Sequence, residues 1–179
     1  HEALVQRDLI LVDLEEHAER PYDENILPYK SMVWFHLASS IGAKYALKTH
    51  DDVFVDLSAM RQELQLSQPD YWGLLLNNQA PVRDPRHASY VPTSQWNRAV
   101  YPAYCSGVGY VLSQKASLCL MSVIAQQPYL AKEDVAMAVA MRTCGIEPTQ
   151  TRHIDVSGDK LGPWIIRKYE ASHSLHTTV

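Results

Sequence analysis

The sequence lacks the features that mark membrane-spanning, nucleic-acid-binding and disordered proteins. No apolar run approaches the roughly 20 residues that a membrane helix needs. No linker rich in Gly, Ser or Pro, no repeat and no low-complexity tract is visible. The net charge of −4 provides no basic field for nucleic acid. With 179 residues, 46% hydrophobic and 20% charged, the chain is predicted to be one globular domain with a substantial core.

The start of the sequence shows no signal peptide. The chain begins at His1 without a Met and soon enters the apolar run "DLILVDL". We therefore expect a piece of a longer protein, in which a targeting segment would lie upstream.

Cysteine is also scarce. Cys105, Cys119 and Cys144 are odd in number and show no CxxC spacing, which argues against a zinc site. The sequence leaves open one disulfide with one free thiol, or no disulfide at all, so cysteine does not decide the compartment. For Cys105, a buried thiol or a disulfide is expected rather than a catalytic role.

Short apolar runs alternate with helical patterns along most of the chain. We predict strands at 8–14, 43–48, 53–57, 71–76 and 107–113, and helices at 24–40, 58–66, 114–127 and 133–145. Residues 77–100 are predicted to be a loop, and 150–179 show little periodicity. The alternation predicts an α/β sandwich around a mostly parallel sheet.

Helix ends and faces can also be predicted. Ser58 is a candidate N-cap of the second helix, and Gly145 a candidate residue just after the last. The side chains expected to face the core from the first helix are Ile26, Tyr29, Met32, Val33, Trp34 and Leu37.

Three polar side chains follow the predicted strand 43–48. His50 and Asp52 would share one face of an extended backbone, and Asp51 would point to the other. Adjacent carboxylates repel unless a cation joins them, and Mn²⁺ or Mg²⁺ prefers carboxylate oxygen, with a diphosphate able to complete the shell. In open α/β sheets, ligands bind beyond the carboxyl ends of strands. This turn therefore predicts either a metal and phosphate site or a solvated acidic turn.

Two further segments carry weaker signals. In "YPAYCSGVGYVLS", Gly107 and Gly109 would let a ligand approach the backbone, although a tight turn is the simpler interpretation. In "KEDVAMAVAMRTCGIEP", Glu133 and Asp134 open a helix, where acids usually cap it and pair with its dipole. A carboxylate beside a cleft can also act as a general base.

These segments, in this order, resemble the motifs of the β-1,3-galactosyltransferase family, glycosyltransferase family 31, over about residues 7–148. "KTHDDVFVDL" is similar to its lysine-led acidic motif, and "PVRD" to its P-x-R segment. "YPAYCSGVGYV" is similar to its Y-P-x-Y-x-x-G-x-G-Y-V motif, and "EDVAMAVAMRTCGIEP" to its E-D-V and G-I-x-P motif. Four motifs in one order make the resemblance specific.

The resemblance implies a GT-A fold, a Rossmann-like α/β sandwich. It implies inverting transfer of galactose or an N-acetylhexosamine from a UDP-sugar to an acceptor glycan hydroxyl, forming a β-1,3 bond with the help of Mn²⁺. Residues 1–179 would then be one partial glycosyltransferase domain whose first strand or strands lie upstream. The family usually resides in the Golgi lumen, held by a membrane anchor that would lie outside this chain.

The resemblance also assigns roles to catalytic and metal-binding residues. Asp52 would hold the metal on the diphosphate, and Asp134 would deprotonate the acceptor hydroxyl. His173, in "EASHSLHTT", would be a further metal ligand, although a polar tail is an equal interpretation of that segment.

Five residues would contact the donor. They are Lys48, His50 and Asp51 at the nucleotide and Gly107 and Gly109 at the donor sugar. His50 departs from the family, which usually has Asp there. The histidine could weaken nucleotide binding, add a nitrogen ligand or mark a degenerate enzyme.

Two alternatives stay open. One is a catalytically degenerate relative that binds glycan or nucleotide, or neither. The other is a metal phosphohydrolase that uses His50 and Asp51 as a tandem pair, with His36 or His87 as a further ligand. The sequence has no convincing nucleophile elbow and no Ser-His-Asp signature, which agrees with direct transfer without a covalent intermediate.

Overall fold

The computed structural model describes residues 26–156 and 164–168. Helices are α1 (Leu27–Ser40), α2 (Leu57–Ser67), α3 (Gln114–Val123), followed by a 3₁₀ turn at Ile124–Gln126, and α4 (Glu133–Thr143). Strands are β1 (Tyr45–Thr49), β2 (Val53–Val55), β3 (Tyr71–Leu76), β4 (Tyr104–Ser113), β5 (Thr149–Gln150), β6 (Ile154–Asp155) and β7 (Ile166–Lys168). The predicted strand 8–14 and His173 lie outside the described residues.

The described strands form a four-stranded sheet of order β1-β4-β3-β5 and a three-stranded sheet of order β2-β7-β6. β4 runs antiparallel to both β1 and β3, and β2 runs antiparallel to β7. The pairings β3–β5 and β6–β7 are parallel. The α/β class is therefore confirmed, but the prediction of a mostly parallel sheet was wrong, because the described sheets are mixed. The loop between β3 and β4 contains no crossover helix, so β4 can return antiparallel.

Side chains of β3 and β4 alternate between two cores. Tyr71 and Tyr110 point toward α1, α3 and α4, where they join a cluster with Phe35. Trp72 and Val111, their neighbours in the chain, join the second cluster with Ile166 and α2. This period of two is the geometry of an extended strand. Both faces of the four-stranded sheet are covered as a result.

The predicted face of α1 was wrong for most of its residues, although Met32 packs partly buried against the core. The helix buries Pro28, Ser31, Phe35 and Ala38, which recur at helical spacing. Trp34 is 37% exposed, and its indole N–H donates to the Leu47 carbonyl. The segment is apolar almost all round, so the pattern alone does not select the buried side.

Of the two predicted helix ends, one is confirmed and one is wrong. The N-cap of α2 is Asp56, whose side chain accepts a hydrogen bond from the Ala59 N–H, and not Ser58. Gly145 has φ +68° just after α4, as predicted.

The strands after residue 148 are two or three residues long, too short to show a periodic pattern in the sequence. Backbone pairing with Gly73 and a hydrogen bond between His153 Nδ1 and Glu63 Oε2 (2.7 Å) hold that part of the chain.

The loop between β3 and β4 is organised by one arginine. The guanidinium of Arg83 donates to the carbonyls of Val91 (2.6 Å), Trp96 and Arg98 (3.3 Å). An isolated bridge joins Val82 and Tyr90 beside it. The side chain of Arg83, in "PVRD", thus fixes the backbone of the loop that follows it by binding its carbonyl oxygens.

The three cysteines resolve the alternatives left open by the sequence. Cys119 in α3 is disulfide-bonded to Cys144 at the end of α4. Cys105 is a buried free thiol, and burial raises its pKa to about 12. Within the described part of the chain, no helix is both long and apolar enough to cross a membrane.

We predict that alkylation of the denatured, unreduced protein adds one label per chain, at Cys105, and that prior reduction adds three, as counted by intact mass. Replacing the Cys119–Cys144 pair by serines should lower the free energy of unfolding by about 2–4 kcal/mol, because the bridge closes a loop across 25 positions. Urea denaturation measures this loss. Three labels without reduction would contradict the pairing.

Candidate functional site

The turn His50-Asp51-Asp52 links the two sheets. It follows β1 of the four-stranded sheet and precedes β2 of the three-stranded sheet. The His50 Nδ1 lies 3.9 Å from Asp52 Oδ1, so these two side chains share a side, as predicted. Asp51 is exposed. Lys168 of β7 reaches the same turn, with its Nζ 3.4 Å from Asp52 Oδ2.

Lys48 lies in β1, two residues before His50, and is buried. Its ammonium donates to the Gly107 carbonyl (2.9 Å) and lies 3.4 Å from Glu133 Oε2. The Thr49 hydroxyl donates to the Val108 carbonyl (2.9 Å). The end of β1 is therefore fixed to the glycine segment of β4 by side chains as well as by the strand ladder.

Glu133 is the residue that sequence reasoning missed. Its side chain is only 4% exposed, and it accepts a 2.5 Å hydrogen bond from the Tyr110 hydroxyl. Burial and the Glu133 carboxylate raise the pKa of Tyr110 well above its usual value, so the phenol remains a donor. Helix capping was the default interpretation, but the spacing of Glu133 with Met137 and Met141 on the buried face of α4 could have revealed it.

Asp134 faces the glycine segment. One carboxylate oxygen accepts from the Gly107 N–H (3.2 Å), and the other lies 3.1 Å from Lys132 Nζ. The Lys132 ammonium also lies over the Tyr104 ring, 5.3 Å from its centroid. The Asp134 side chain keeps 12% exposure, so it is held in place and still reaches the surface.

The two glycines of the GxG motif have different surroundings. A Cβ added at Gly107 would lie 3.4 Å from Asp134 Oδ2, an ordinary contact. A Cβ at Gly109 would lie 2.8 Å from the Cδ1 of buried Ile166. Gly109 thus lets the three-stranded sheet pack closely against β4, whereas Gly107 presents its N–H to Asp134. Their contact with a donor sugar stays a prediction.

The residues of the turn fit a divalent cation that shares its shell with a phosphate. One carboxylate and one imidazole converge, and ions of the Mg²⁺ type are often held by one or two protein ligands with substrate phosphates. Burial lowers the pKa of His50, and the Lys48 ammonium lowers it further. A neutral imidazole is the form that binds metal. In the described ranges, no three His, Cys, Asp or Glu side chains form a cluster that could hold an ion without such help.

That last observation also bears on the phosphohydrolase alternative. His36 and His87 are both exposed, and neither joins a cluster of metal-competent side chains within residues 26–156 and 164–168. The extra histidine ligands that such an enzyme needs are not supplied by these two residues.

Comparison with known proteins points to one family. The sequence model described as Galactosyltransferase matches residues 1–152. Human "Beta-1,3-galactosyltransferase 9" is 27% identical over 122 residues, 66% of this chain and 33% of the relative. The mouse "Acetylgalactosaminyl-O-glycosyl-glycoprotein beta-1,3-N-acetylglucosaminyltransferase" is 29% identical over 123 residues, 67% and 32% of the two chains. Mouse "Beta-1,3-galactosyltransferase 1" is 31% identical over 113 residues, 60% and 34%. The chain spans about a third of the length of these relatives.

Removing one partner of the buried Lys48–Glu133 ion pair should lower the free energy of unfolding more than removing both. We expect Lys48→Met to lower the free energy of unfolding by about 3–5 kcal/mol, because Glu133 would remain buried and uncompensated. The double variant Lys48→Met with Glu133→Gln should recover most of that loss in urea denaturation. Lys115→Met, which removes an ion pair with Asp70 from a 75% exposed lysine, is the matched control and should cost at most about 1 kcal/mol. A double variant as unstable as the sum of the single variants would contradict this coupling.

Substitution of Gly107 and of Gly109 should change the free energy of unfolding by different amounts. Gly109→Ala should lower the free energy of unfolding by about 1–3 kcal/mol, because its methyl group meets buried Ile166. Gly107→Ala should change it by less than about 1 kcal/mol, since the new contact is of ordinary length. Urea denaturation of both variants measures the difference, and equal losses would rule out the packing role of Gly109.

Proposed function

The chain belongs to the galactosyltransferase family, and from this premise we propose that it transfers galactose or an N-acetylhexosamine from a UDP-sugar to a glycan hydroxyl. We further propose that the transfer inverts the anomeric centre and forms a β-1,3 bond. The names of the matched relatives, which include beta-1,3-galactosyltransferases and a beta-1,3-N-acetylglucosaminyltransferase, support this choice. A GT-A arrangement of the complete domain is part of the same proposal.

The observation that carries the proposal is the buried network that connects the turn containing Asp52 to the start of α4, which contains Asp134. Lys48 contacts both Gly107 and Glu133, and Gly107 contacts Asp134. His50 and Asp52 follow Lys48 in the chain, on the exposed side of the same network. An inverting transfer needs two such groups, one that meets the leaving diphosphate and one that takes the acceptor proton.

Asp134 is proposed as the general base. Its carboxylate would accept the proton of the acceptor hydroxyl as that oxygen attacks the anomeric carbon. The Gly107 N–H and the Lys132 ammonium hold the carboxylate in one orientation.

Asp52 and His50 are proposed to hold a divalent ion such as Mn²⁺ on the donor diphosphate. When bound, that ion supplies positive charge to the leaving group. Asp51, Gly107 and Gly109 are proposed to contact the nucleotide and the donor sugar, and the buried Lys48 is proposed to act on the donor site through its neighbours. Lys48 also positions Gly107, whose carbonyl its ammonium binds.

A Golgi-lumen location, with a membrane anchor outside this chain, completes the proposal. The Cys119–Cys144 disulfide supports an oxidising compartment, because such bridges persist in the secretory pathway and are rare in the cytosol.

A degenerate relative is the second candidate, and His50 in place of an acid is the observation that favours it. The two candidates differ in one measurement. An active transferase binds UDP with Mn²⁺ and transfers sugar from a panel of UDP-sugars to glycan acceptors. A degenerate relative fails in the transfer assay even where it binds UDP.

We expect Asp134→Asn to reduce kcat by about 10²–10⁴-fold without changing UDP affinity, because asparagine can still accept from the Gly107 N–H but cannot take a proton. Asp52→Asn should instead weaken Mn²⁺-dependent UDP binding in calorimetry. Glu147→Gln, at an exposed carboxylate beyond α4, is the control and should alter neither. An Asp134→Asn variant that keeps a tenth of the activity would exclude the base role.

A further inference from the structure

Lys168 lies beside the acidic turn of the proposed donor site. The register of β2 with β7 pairs Lys168 with Val53, the residue directly after Asp52. Its ammonium lies 3.4 Å from Asp52 Oδ2, while Asp52 Oδ1 faces His50. The carboxylate that would hold the divalent ion therefore already has a positive charge beside one of its oxygens.

This lysine is accessible to a ligand. Its side chain is 40% exposed and that of Asp52 is 45% exposed. Lys48, the other ammonium close to the turn, is buried and bound to Gly107 and Glu133. Lys168 can therefore change partner without breaking a buried contact, and Lys48 cannot.

The neighbouring cation of β7 has another role. Arg167 points the other way along the pleat and pairs with Asp155 of β6, 3.8 Å from Nε to Oδ2. Of these two adjacent cations, Lys168 is the one directed to the acidic turn. An ammonium on a flexible four-carbon stem suits a group that exchanges between two anions.

We propose that Lys168 is a donor-binding residue that exchanges between two anions, Asp52 and the diphosphate of the nucleotide. In the ligand-free protein its ammonium neutralises Asp52. When Asp52 is engaged by a divalent ion, the ammonium turns to the diphosphate and adds a second positive charge there. This inference rests on the proposed function, because it takes a nucleoside diphosphate as the ligand.

The exchange predicts opposite effects of one substitution on two ligands. Lys168→Met keeps the length of the side chain and removes its charge. Mn²⁺ alone should bind about two- to fivefold more tightly to this variant, because no ammonium competes for an exposed carboxylate. UDP at saturating Mn²⁺ should bind about tenfold more weakly, because a charge-assisted contact to phosphate is lost.

The experiment measures free Mn²⁺ by electron paramagnetic resonance without nucleotide, and UDP binding by calorimetry with Mn²⁺, on the protein in its longest natural form. Lys168→Arg retains the charge and should keep UDP binding within about threefold of the unmodified protein. Arg167→Met removes the adjacent cation and should leave both affinities unchanged. Thermal unfolding checks that each variant is folded.

Three outcomes would overturn the inference, and they differ in what else they affect. Unchanged affinities in Lys168→Met, with normal UDP binding by the unmodified protein, would refute the exchange and leave the proposed function standing. Weaker binding of both ligands would mean that Lys168 only shapes the turn. Failure of the unmodified protein to bind UDP even with Mn²⁺ would remove the proposed function and the inference together.

Discussion

The buried ion pair between Lys48 and Glu133 is the interaction on which the candidate site depends. Neither charge could stay in the interior alone, because desolvation would exceed what a single hydrogen bond returns. The Tyr110 hydroxyl donates to the other oxygen of Glu133, and the Gly107 carbonyl accepts a second hydrogen bond from Lys48. One network therefore binds β1, β4 and α4 at a single point, and it fixes the acidic turn relative to Asp134.

The network lies where two cores meet, and β4 belongs to both of them. Tyr110 faces the helices, Val111 faces the three-stranded sheet, and Gly109 lets Ile166 approach the strand. A strand packed on both faces has little freedom to shift, since a slip of one residue would exchange its two faces. The rigid part of the site is thus provided by the fold itself, and the exposed side chains of the turn are its adjustable part.

Most helices and strands could be predicted from the sequence, and the features that were missed have physical causes. The helix α4 could be predicted from its ends, with acids in its first turn, Arg142 in its last turn and Gly145 just after it. The buried face of α1 could not, because nearly every side of that helix is apolar. The direction of β4 depends on a long loop whose path no local pattern encodes. Glu133 was missed because an acid at a helix start has a common explanation, and its burial depends on Lys48, 85 positions earlier in the chain.

The arginine inside the β3–β4 loop has a consequence for how this surface can diversify. Within the part of the chain that the structure describes, Arg83 donates to main-chain oxygens, those of Val91, Trp96 and Arg98. Every amino acid carries such an oxygen, so substitutions at those three positions leave the acceptors of the guanidinium in place. The backbone path of the loop and the side chains it displays can therefore change independently. Mutation can alter the side chains that the loop displays while the Arg83 guanidinium still fixes the path of its backbone.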